Sequence, residues 1–250
     1  MHGLEKVSEG GKYVSKSKKN KKKSISTSNP LSKWIVWVVG LFSVCVVLGI
    51  IFWGNLSKKE TAIDYEGQPY LGKESAPVKI VEFGDYKCPV CKNFNESFFP
   101  LIEKEFIETG KAKFYFMNYS FINVDSIRAA QFAEAVYQEL GNDTFWKFHE
   151  LLYSKQPEDT KYEKMDIFTE SFLEDTLKEV ASDKETEKVV KAFKENQSKD
   201  AWEKDMSYAN KLGVTGTPTL FINGKQFEGK TFEDFKEMVE EAAKEKRSNE

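Results

Sequence analysis

The sequence predicts a domain of the α/β class with a long helical insertion, preceded by one transmembrane helix. Three observations lead to this prediction. Residues 34–53 carry no charged side chain, which is typical of a segment that crosses a membrane. Apolar runs of strand length occur at 78–84, 113–118 and 217–222, and such runs indicate buried strands. Between the last two runs, residues 125–212 show almost only helical patterns, so the insertion lies inside the α/β domain.

The uncharged segment 34–53 is long enough to cross a bilayer. Its twenty residues, at about 1.5 Å each, match a hydrocarbon core of about 30 Å. Trp34, Trp37 and Trp53 lie near its ends, where indoles favour the interface. A buried core helix is one alternative, and a cleaved signal peptide, whose apolar region is usually about 7–15 residues long, is another. Because residues 54–57 offer no Ala-x-Ala cleavage site, we expect an uncleaved anchor.

The charge of the chain is divided by this segment. Residues 1–33 carry nine lysines and two acids, a net charge of +7, whereas the whole chain carries −3. The remainder therefore carries −10, which argues against a nucleic-acid partner. An excess of lysine before a span places that side in the cytoplasm. We therefore expect a basic cytoplasmic tail at 1–33, the membrane anchor at 34–53, a tether at 54–65 and an extracytoplasmic domain at 66–250.

Turn and cap residues predict where the elements of this domain begin and end. The helix after the first strand is expected to stop near Gly110, and the insertion is expected to end at Gly213, because glycine adopts the left-handed conformation that closes a helix. Asn223-Gly224 favours a tight hairpin after the third strand. A last amphipathic helix is expected to open at Thr231.

Two cysteines, Cys88 and Cys91, lie where the first strand feeds a helix. The partial positive charge of a helix N-terminus stabilises a thiolate, and Pro89 suits the first turn because it lacks an N–H. We expect Cys88 to be the nucleophile and Cys91, one turn later, to be the resolving thiol. An inert disulfide and a zinc site are the alternatives, but tetrahedral zinc needs four ligands and His149 is the only histidine after the anchor. The pattern predicts a reactive thiol pair with no metal and no cofactor.

The order of elements and two motifs resemble a known family. Strand, C-x-x-C helix, strand, helical block, hairpin and helix resemble the thioredoxin fold with a helical insertion, the architecture of the DsbA-like thiol-disulfide oxidoreductases. The motifs are EFGDYKCPVC at 82–91 and GVTGTPTLFING at 213–224. The resemblance covers about residues 66–247, and it is closest to the membrane-tethered DsbA-like proteins of Gram-positive bacteria.

The resemblance implies roles for residues around the cysteines. Glu82 lies in an apolar strand, where an unpaired carboxylate is costly to bury. The family match places it at the buried acid that relays protons to Cys91, and burial is expected to raise its pKa. A carboxylate facing solvent at the strand edge is the alternative. Thr217-Pro218 matches the family's cis-proline loop, which faces the C-x-x-C and takes part in catalysis; an ordinary trans proline is the alternative.

Substrate contacts are expected on both sides of the nucleophile. Thr217 is expected to pair its backbone with an extended substrate chain, as an added strand, and Pro89 and Val90 are expected to contact the same chain. Val90 departs from the Pro-His dipeptide of the family's strongest oxidants. Because Val offers neither charge nor hydrogen bond, we expect the pKa of Cys88 to be less depressed than in those members. The reduction potential is then expected between about −120 and −270 mV.

Two further residues have more than one interpretation. Lys87, directly before Cys88, either favours the thiolate electrostatically or is an exposed, solvated lysine. His149 has no acidic or cysteine partner that the sequence identifies, so we interpret it as structural.

These features together predict an extracytoplasmic thiol-disulfide oxidoreductase that introduces disulfides into exported proteins. Its partners are expected to be exported substrates with free thiols and a membrane redox partner that reoxidises the Cys88–Cys91 pair. A reductase or isomerase that uses the same site is one alternative. A non-catalytic thioredoxin-fold module that binds peptides is another.

Overall fold

The computed structural model of the chain describes residues 38–41 and 63–248. The predicted basic tail at 1–33 lies outside these residues, as do most of the predicted anchor at 34–53 and most of the predicted tether at 54–65. Residues 38–41 are helical. Within the described ranges, no helix combines the length and the apolar character that a membrane span requires.

Five strands form one mixed sheet. The strands are β1 Tyr70–Leu71, β2 Val78–Gly84, β3 Ala112–Asn118, β4 Thr219–Ile222 and β5 Lys225–Gln226. Their order across the sheet is β1-β3-β2-β4-β5. The central strand, β2, runs parallel to β3 and antiparallel to β4. Every residue of β3 and all but one of β2 are buried, which explains why both strands read as nearly continuous apolar runs.

Within residues 63–248, seven helices accompany this sheet. A helical run over residues 89–107, here called α1, follows β2. The others are α2 Val124–Leu140, α3 Asn142–Ser154, α4 Glu170–Leu177, α5 Asp183–Lys194, α6 Lys199–Lys211 and α7 Phe232–Ser248. Helices α2 to α6 form the insertion between β3 and β4, with nearly the bounds 125–212 that the sequence predicts. The α/β prediction with a helical insertion is therefore confirmed.

The predicted ends of elements agree with the backbone conformation. Gly213, directly after the insertion, has φ +73°, and Asn223 and Gly224 have φ +46° and +82°. Two consecutive left-handed residues form the hairpin turn that joins β4 to β5. Helix α7 begins one residue after Thr231.

Helix α1 is less regular than the sequence predicts. It ends at residue 107, three residues before Gly110. Pro100 has no N–H to donate to the carbonyl one turn earlier, which interrupts the regular hydrogen-bond ladder. The run alternates between α-helical segments and wider π-type turns, which are Pro89–Asn93 (α), Phe94–Phe98 (π), Phe99–Ile102 (α) and Glu103–Ile107 (π).

The packed domain extends further towards the N-terminus than residue 66. Ile63 is only 8% exposed, and the ring of Tyr65 lies 4.5 Å from that of Tyr115 in β3, measured between centroids. Apolar and aromatic side chains gain free energy by this burial. The last residues of the predicted tether at 54–65 are therefore part of the domain.

Candidate active site

The two cysteines occupy the start of α1. Cys88 is the N-cap residue in an extended conformation, and Pro89 is the first residue of the helix. The backbone N–H of Cys88 donates to the carbonyl of Asp85 across 2.9 Å, which closes the turn after β2. Cys88 is 6% exposed and Cys91 is fully buried. Both are free thiols in this structure. Cys88 is therefore the sulfur that a partner molecule reaches first.

The two thiols have opposite acidities. A hydrogen bond from the Cys91 thiol is the main cause that lowers the pKa of Cys88 to about 6. The backbone N–H groups of Val90 and Cys91 act in the same direction, and partial burial opposes them. Burial, followed by the hydrogen bond to Cys88 and the charge of Glu82, raises the pKa of Cys91 well above its ordinary value. At neutral pH, Cys88 is therefore mostly a thiolate and Cys91 stays protonated. Only the thiolate is a nucleophile, so this difference separates an attacking sulfur from a resolving one.

Glu82 lies beneath the cysteines, on the central strand. Side chains alternate along a strand, so Glu82 shares the face of Ile80, which packs in the same apolar cluster as Cys91. Glu82 is 1% exposed, and neither carboxyl oxygen has a hydrogen-bond partner among the described residues. Burial, reinforced by the negative charge of Cys88, raises its pKa well above the ordinary value. The solvent-facing alternative is therefore wrong.

The Thr217-Pro218 loop faces the nucleophile. Its peptide bond is cis, as the resemblance implies. The sulfur of Cys88 lies 3.3 Å from the carbonyl oxygen of Thr217, close enough for its thiol form to donate a hydrogen bond. The Thr217 hydroxyl is buried and has no hydrogen-bond partner among the described residues. The backbone of this loop is thus close enough to the reacting sulfur to contact a chain that is bound to it.

A groove opens next to this loop. Its volume is about 350 Å³, and Val90, Phe94, Phe98, Pro218, Leu220 and Phe227 are among the residues that line it. Val90 is 59% exposed, so one of the two residues between the cysteines borders the groove. The apolar walls suit the side chains of an extended polypeptide.

The structure contradicts one of the two interpretations of Lys87. Its side chain is fully buried, so the exposed, solvated lysine is wrong. Its ammonium group lies 2.9 Å from a carboxylate oxygen of Asp125 and donates to the carbonyls of Tyr162 and Met165. The charge is held by the insertion rather than by the Cys88 sulfur. The sequence gives no signal for this buried ion pair, because Asp125 lies 38 residues from Lys87.

Three residues near the cysteines were not found from the sequence. Gln156 and Tyr162 hydrogen-bond the backbone next to Cys88. Gln156 lies two residues after the end of α3, and Tyr162 lies in the 3₁₀ turn Thr160–Lys164, which has too short a pattern to predict. The third is Tyr153, whose hydroxyl is buried without a hydrogen-bond partner among the described residues. Nothing in the sequence distinguishes this tyrosine from an ordinary core residue.

His149 has structural contacts, in agreement with its interpretation from the sequence. It is 1% exposed; Nδ1 lies 3.0 Å from the Tyr86 hydroxyl and Nε2 lies 3.2 Å from the Asn95 amide nitrogen. Burial lowers its pKa to about 3, so the imidazole is neutral at physiological pH.

Across residues 38–41 and 63–248, no group of three or more His, Cys, Asp or Glu side chains has an arrangement that could hold a metal ion. Two buried acids, Glu134 and Asp205, are instead bridged by the Asn118 amide nitrogen at 2.8 and 3.1 Å. Burial is the main cause that raises the pKa of Asp205 to about 6. The shared amide donor reduces the repulsion between the two carboxyl groups.

Comparisons with known proteins agree with this geometry. A family model described as Thioredoxin matches residues 64–241. The chain is 42% identical over 184 residues to Disulfide bond formation protein D of Bacillus subtilis (strain 168), covering 72% of this chain and 78% of that protein. It is 33% identical to a Probable disulfide bond formation protein D of Bacillus anthracis, covering 83% of this chain and 94% of the relative.

Solved structures show the same fold. Oxidised BdbD from Bacillus subtilis superimposes with a TM-score of 0.66 at 37% identity, covering 72% of this chain and 95% of that one. DsbA from Chlamydia trachomatis superimposes with a TM-score of 0.61 at 21% identity, covering 73% and 93%; at that identity the likeness concerns the fold alone. The chain belongs to the thioredoxin family and, within it, to the DsbA-like proteins.

Proposed function

We propose that this chain introduces disulfides into exported proteins through Cys88 and Cys91. The chain is a thiol-disulfide oxidoreductase of the type that forms disulfide bonds. The observation that carries the proposal for these two residues is the pairing of opposite acidities at the start of one helix. The pKa of Cys88 is lowered to about 6 while that of Cys91 is raised. Cys88 is therefore suited to be the nucleophile and the leaving group, and Cys91 is suited to be the resolving thiol.

The reaction begins from the Cys88–Cys91 disulfide. A substrate thiolate attacks the Cys88 sulfur, the bond to Cys91 breaks, and Cys91 leaves with the electron pair of that bond. A second substrate thiolate then attacks the substrate sulfur of the mixed disulfide, and Cys88 leaves as a thiolate. A thiol of low pKa is a good leaving group, which favours this release. The substrate loses two electrons and two protons. The chain gains the two electrons and one proton, which Cys91 holds as a thiol while Cys88 remains a thiolate, and the other proton passes to solvent.

Glu82 is proposed as the proton relay of the first step. Cys91 leaves as a thiolate although its pKa is raised, so it takes up a proton at once. The carboxyl group of Glu82 is buried and near enough to Cys91 for the two groups to influence each other's pKa. Burial raises the pKa of Glu82 well above its ordinary value, which favours its protonated form. A neutral carboxylic acid beside the departing sulfur is a suitable proton donor.

Thr217, Pro218 and the groove are proposed to hold the substrate chain. In the free protein the Thr217 carbonyl oxygen lies 3.3 Å from the Cys88 sulfur. Once that sulfur is bonded to the substrate, the carbonyl is available for a backbone N–H of the substrate, as in strand addition. Pro89 and exposed Val90 contact the same chain from the side of α1.

We also propose a membrane-tethered arrangement. The uncharged segment 34–53 and the lysine-rich residues 1–33 support a single anchor with its N-terminus in the cytoplasm and the catalytic domain outside. Each turnover leaves the cysteine pair reduced, so a two-electron oxidant has to restore the disulfide. A redox partner in the same membrane fits this need.

A disulfide-transfer assay tests the proposed function. The oxidised full chain, in mild detergent, is mixed with a reduced, unfolded protein that requires disulfides, and free thiols are counted over time. We expect one disulfide transferred per chain without added oxidant. Cys88→Ser and Cys91→Ser should each abolish transfer, because neither variant can form the Cys88–Cys91 disulfide that the substrate attacks. Binding of the substrate without loss of thiols would support a peptide-binding module instead.

A further inference from the structure

Three consecutive carbonyl groups at the nucleophile are bound by side chains of the insertion. The Gln156 amide nitrogen donates to the carbonyl of Tyr86 across 2.6 Å and to that of Cys88 across 3.4 Å. The Tyr162 hydroxyl lies 3.0 Å from the carbonyl of Lys87 and 2.7 Å from the amide oxygen of Gln156, and its one proton is shared between these acceptors. Two side chains therefore hold the turn that leads into α1.

The side chain of Lys87 adds a second connection between this turn and the insertion. Its ammonium group has three donors, and they meet a carboxylate oxygen of Asp125 at 2.9 Å and the carbonyls of Tyr162 and Met165 at 2.7 and 2.6 Å. The same Asp125 oxygen accepts the N–H of Ile167 across 2.8 Å. The segment that carries Tyr162 is thus fixed against the residue that precedes the nucleophile.

These contacts are shielded from water. Gln156 and Tyr162 are each 3% exposed, and hydrogen bonds are stronger electrostatically in such low-dielectric surroundings. Burial also raises the pKa of Tyr162, so its hydroxyl remains a donor throughout the pH range in which thiols react. Water therefore does not compete for the hydrogen bonds that hold the turn, and ordinary changes of pH do not break them.

The sulfur depends on the orientation of this turn. The N–H groups of Val90 and Cys91 favour the Cys88 thiolate only while the first turn of α1 directs them at it. The Cys88 carbonyl also accepts the N–H of Lys92 across 3.1 Å, so the carbonyls that depend on these side chains are those of Tyr86 and Lys87. Without its side-chain donor, either would be free to rotate, and its negative end would then compete with those N–H groups near the sulfur. Holding the carbonyls of Tyr86 and Lys87 towards the insertion prevents that rotation.

We propose that Gln156 and Tyr162 are positioning residues for the Cys88 sulfur, which they hold against the N–H groups that begin α1. The helical insertion thereby sets the redox properties of the C-x-x-C site. This inference rests on the proposed function, in which the Cys88 thiolate is the reacting group.

The test uses two substitutions in the full chain. Tyr162→Phe removes one hydroxyl, and Gln156→Leu removes the amide. The pKa of Cys88 is measured from the pH dependence of its alkylation, and the redox equilibrium is measured against reduced and oxidised glutathione. We expect the alkylation midpoint to rise, and the equilibrium to shift about tenfold towards the disulfide, which is about 30 mV for a two-electron couple. Loss of thiolate stabilisation makes the reduced form less favourable, which gives the sign.

Tyr137→Phe is the matched control. It also removes a tyrosine hydroxyl of the insertion that donates to a backbone carbonyl, that of Gln68 across 3.2 Å, but it leaves the turn before Cys88 intact. Its stability loss should resemble that of Tyr162→Phe, with no change in alkylation midpoint or potential. An equal shift in the control would overturn the inference, as would folded Tyr162→Phe with unchanged redox properties. If Gln156→Leu does not fold, Tyr162→Phe decides alone.

The outcome is separable from that of the proposed function. Alkylation and glutathione equilibria do not require a protein substrate, so they report on positioning even if the unsubstituted chain transfers no disulfide. Shifted redox properties without substrate oxidation would support positioning and contradict the proposed function. Substrate oxidation by the unsubstituted chain, with unchanged redox properties in the variants, would support the proposed function and contradict positioning.

Discussion

The sulfur of Cys88 lies 3.3 Å from the carbonyl oxygen of Thr217, although the two residues are 129 positions apart in the chain. Strand pairing explains this contact. β2 and β4 are antiparallel neighbours with Phe83 opposite Thr219, so the end of one and the beginning of the other meet at the same edge of the sheet. The whole insertion lies between them in sequence, and the site is nevertheless assembled by two adjacent strands.

The acidity of Cys88 is expected to depend on Cys91. Because the Cys91 thiol is the main cause that lowers the pKa of Cys88 to about 6, Cys91→Ala should raise the pKa of Cys88. The alkylation rate of the unsubstituted reduced chain should have its midpoint near pH 6, and the variant's midpoint should lie higher. The folded-state pKa is depressed, so the thiolate stabilises the reduced fold increasingly from about pH 6 to the ordinary value of 9 and loses this effect as pH falls through 6. An unchanged midpoint in Cys91→Ala would contradict this account.

Replacing Glu82 by glutamine should slow catalysis and stabilise the fold. Loss of the proton donor for Cys91 is expected to slow disulfide transfer about 10²-fold or more. The folded-state pKa of Glu82 is raised, so the acid costs stability as pH rises above its ordinary value of 4.5. Denaturant unfolding of Glu82→Gln should therefore show a gain that is larger at pH 8 than at pH 5. The control Glu96→Gln alters a half-exposed acid of α1 and should change neither the transfer rate nor the stability. Disulfide transfer at full speed in Glu82→Gln would contradict the proposed proton relay.

Val90→His should make the couple more oxidising. Val90 is 59% exposed beside Cys88, so an imidazole there reaches the sulfur without disturbing the core. Its positive charge and N–H favour the thiolate, and we expect the glutathione equilibrium to shift about tenfold towards the reduced form, about 30 mV. Val90→Leu should leave the equilibrium in place. The unsubstituted chain should lie between about −120 and −270 mV, and a value at or above the upper limit contradicts the assigned role of Val90.

Lys87 and Asp125 should show strong energetic coupling. Both side chains are fully buried at 2.9 Å, and removal of one partner leaves the other charge unpaired, at a cost of about 3–5 kcal/mol. We expect Lys87→Met and Asp125→Leu each to lower the free energy of unfolding by about this amount. The double variant should lose about 1–3 kcal/mol less than the sum of the two. Additive losses in denaturant unfolding would mean that the two groups do not act as a pair.

The sequence predicts the parts of this fold that have a long repeating pattern. β2 and β3 are apolar runs, the insertion has helical periodicity, and both are confirmed in the structure with small shifts at their ends. The irregular turns of α1 were missed because they depend on Pro100 and on packing. The exposed-lysine interpretation of Lys87 was wrong because its partner, Asp125, is near only in the folded chain. The roles of Glu82 and of the residues that contact substrate stay predictions.

The direction of electron flow is the central claim, and the redox state of Cys88 and Cys91 in living cells tests it most directly. Cells that produce the full chain are quenched with acid, free thiols are alkylated with a reagent of known mass, and the fraction of chains without added mass at these two cysteines is measured. An enzyme that introduces disulfides rests in its oxidised form, so we expect most chains to hold the Cys88–Cys91 disulfide. A pair found mostly as two free thiols would contradict the account and indicate a reductase.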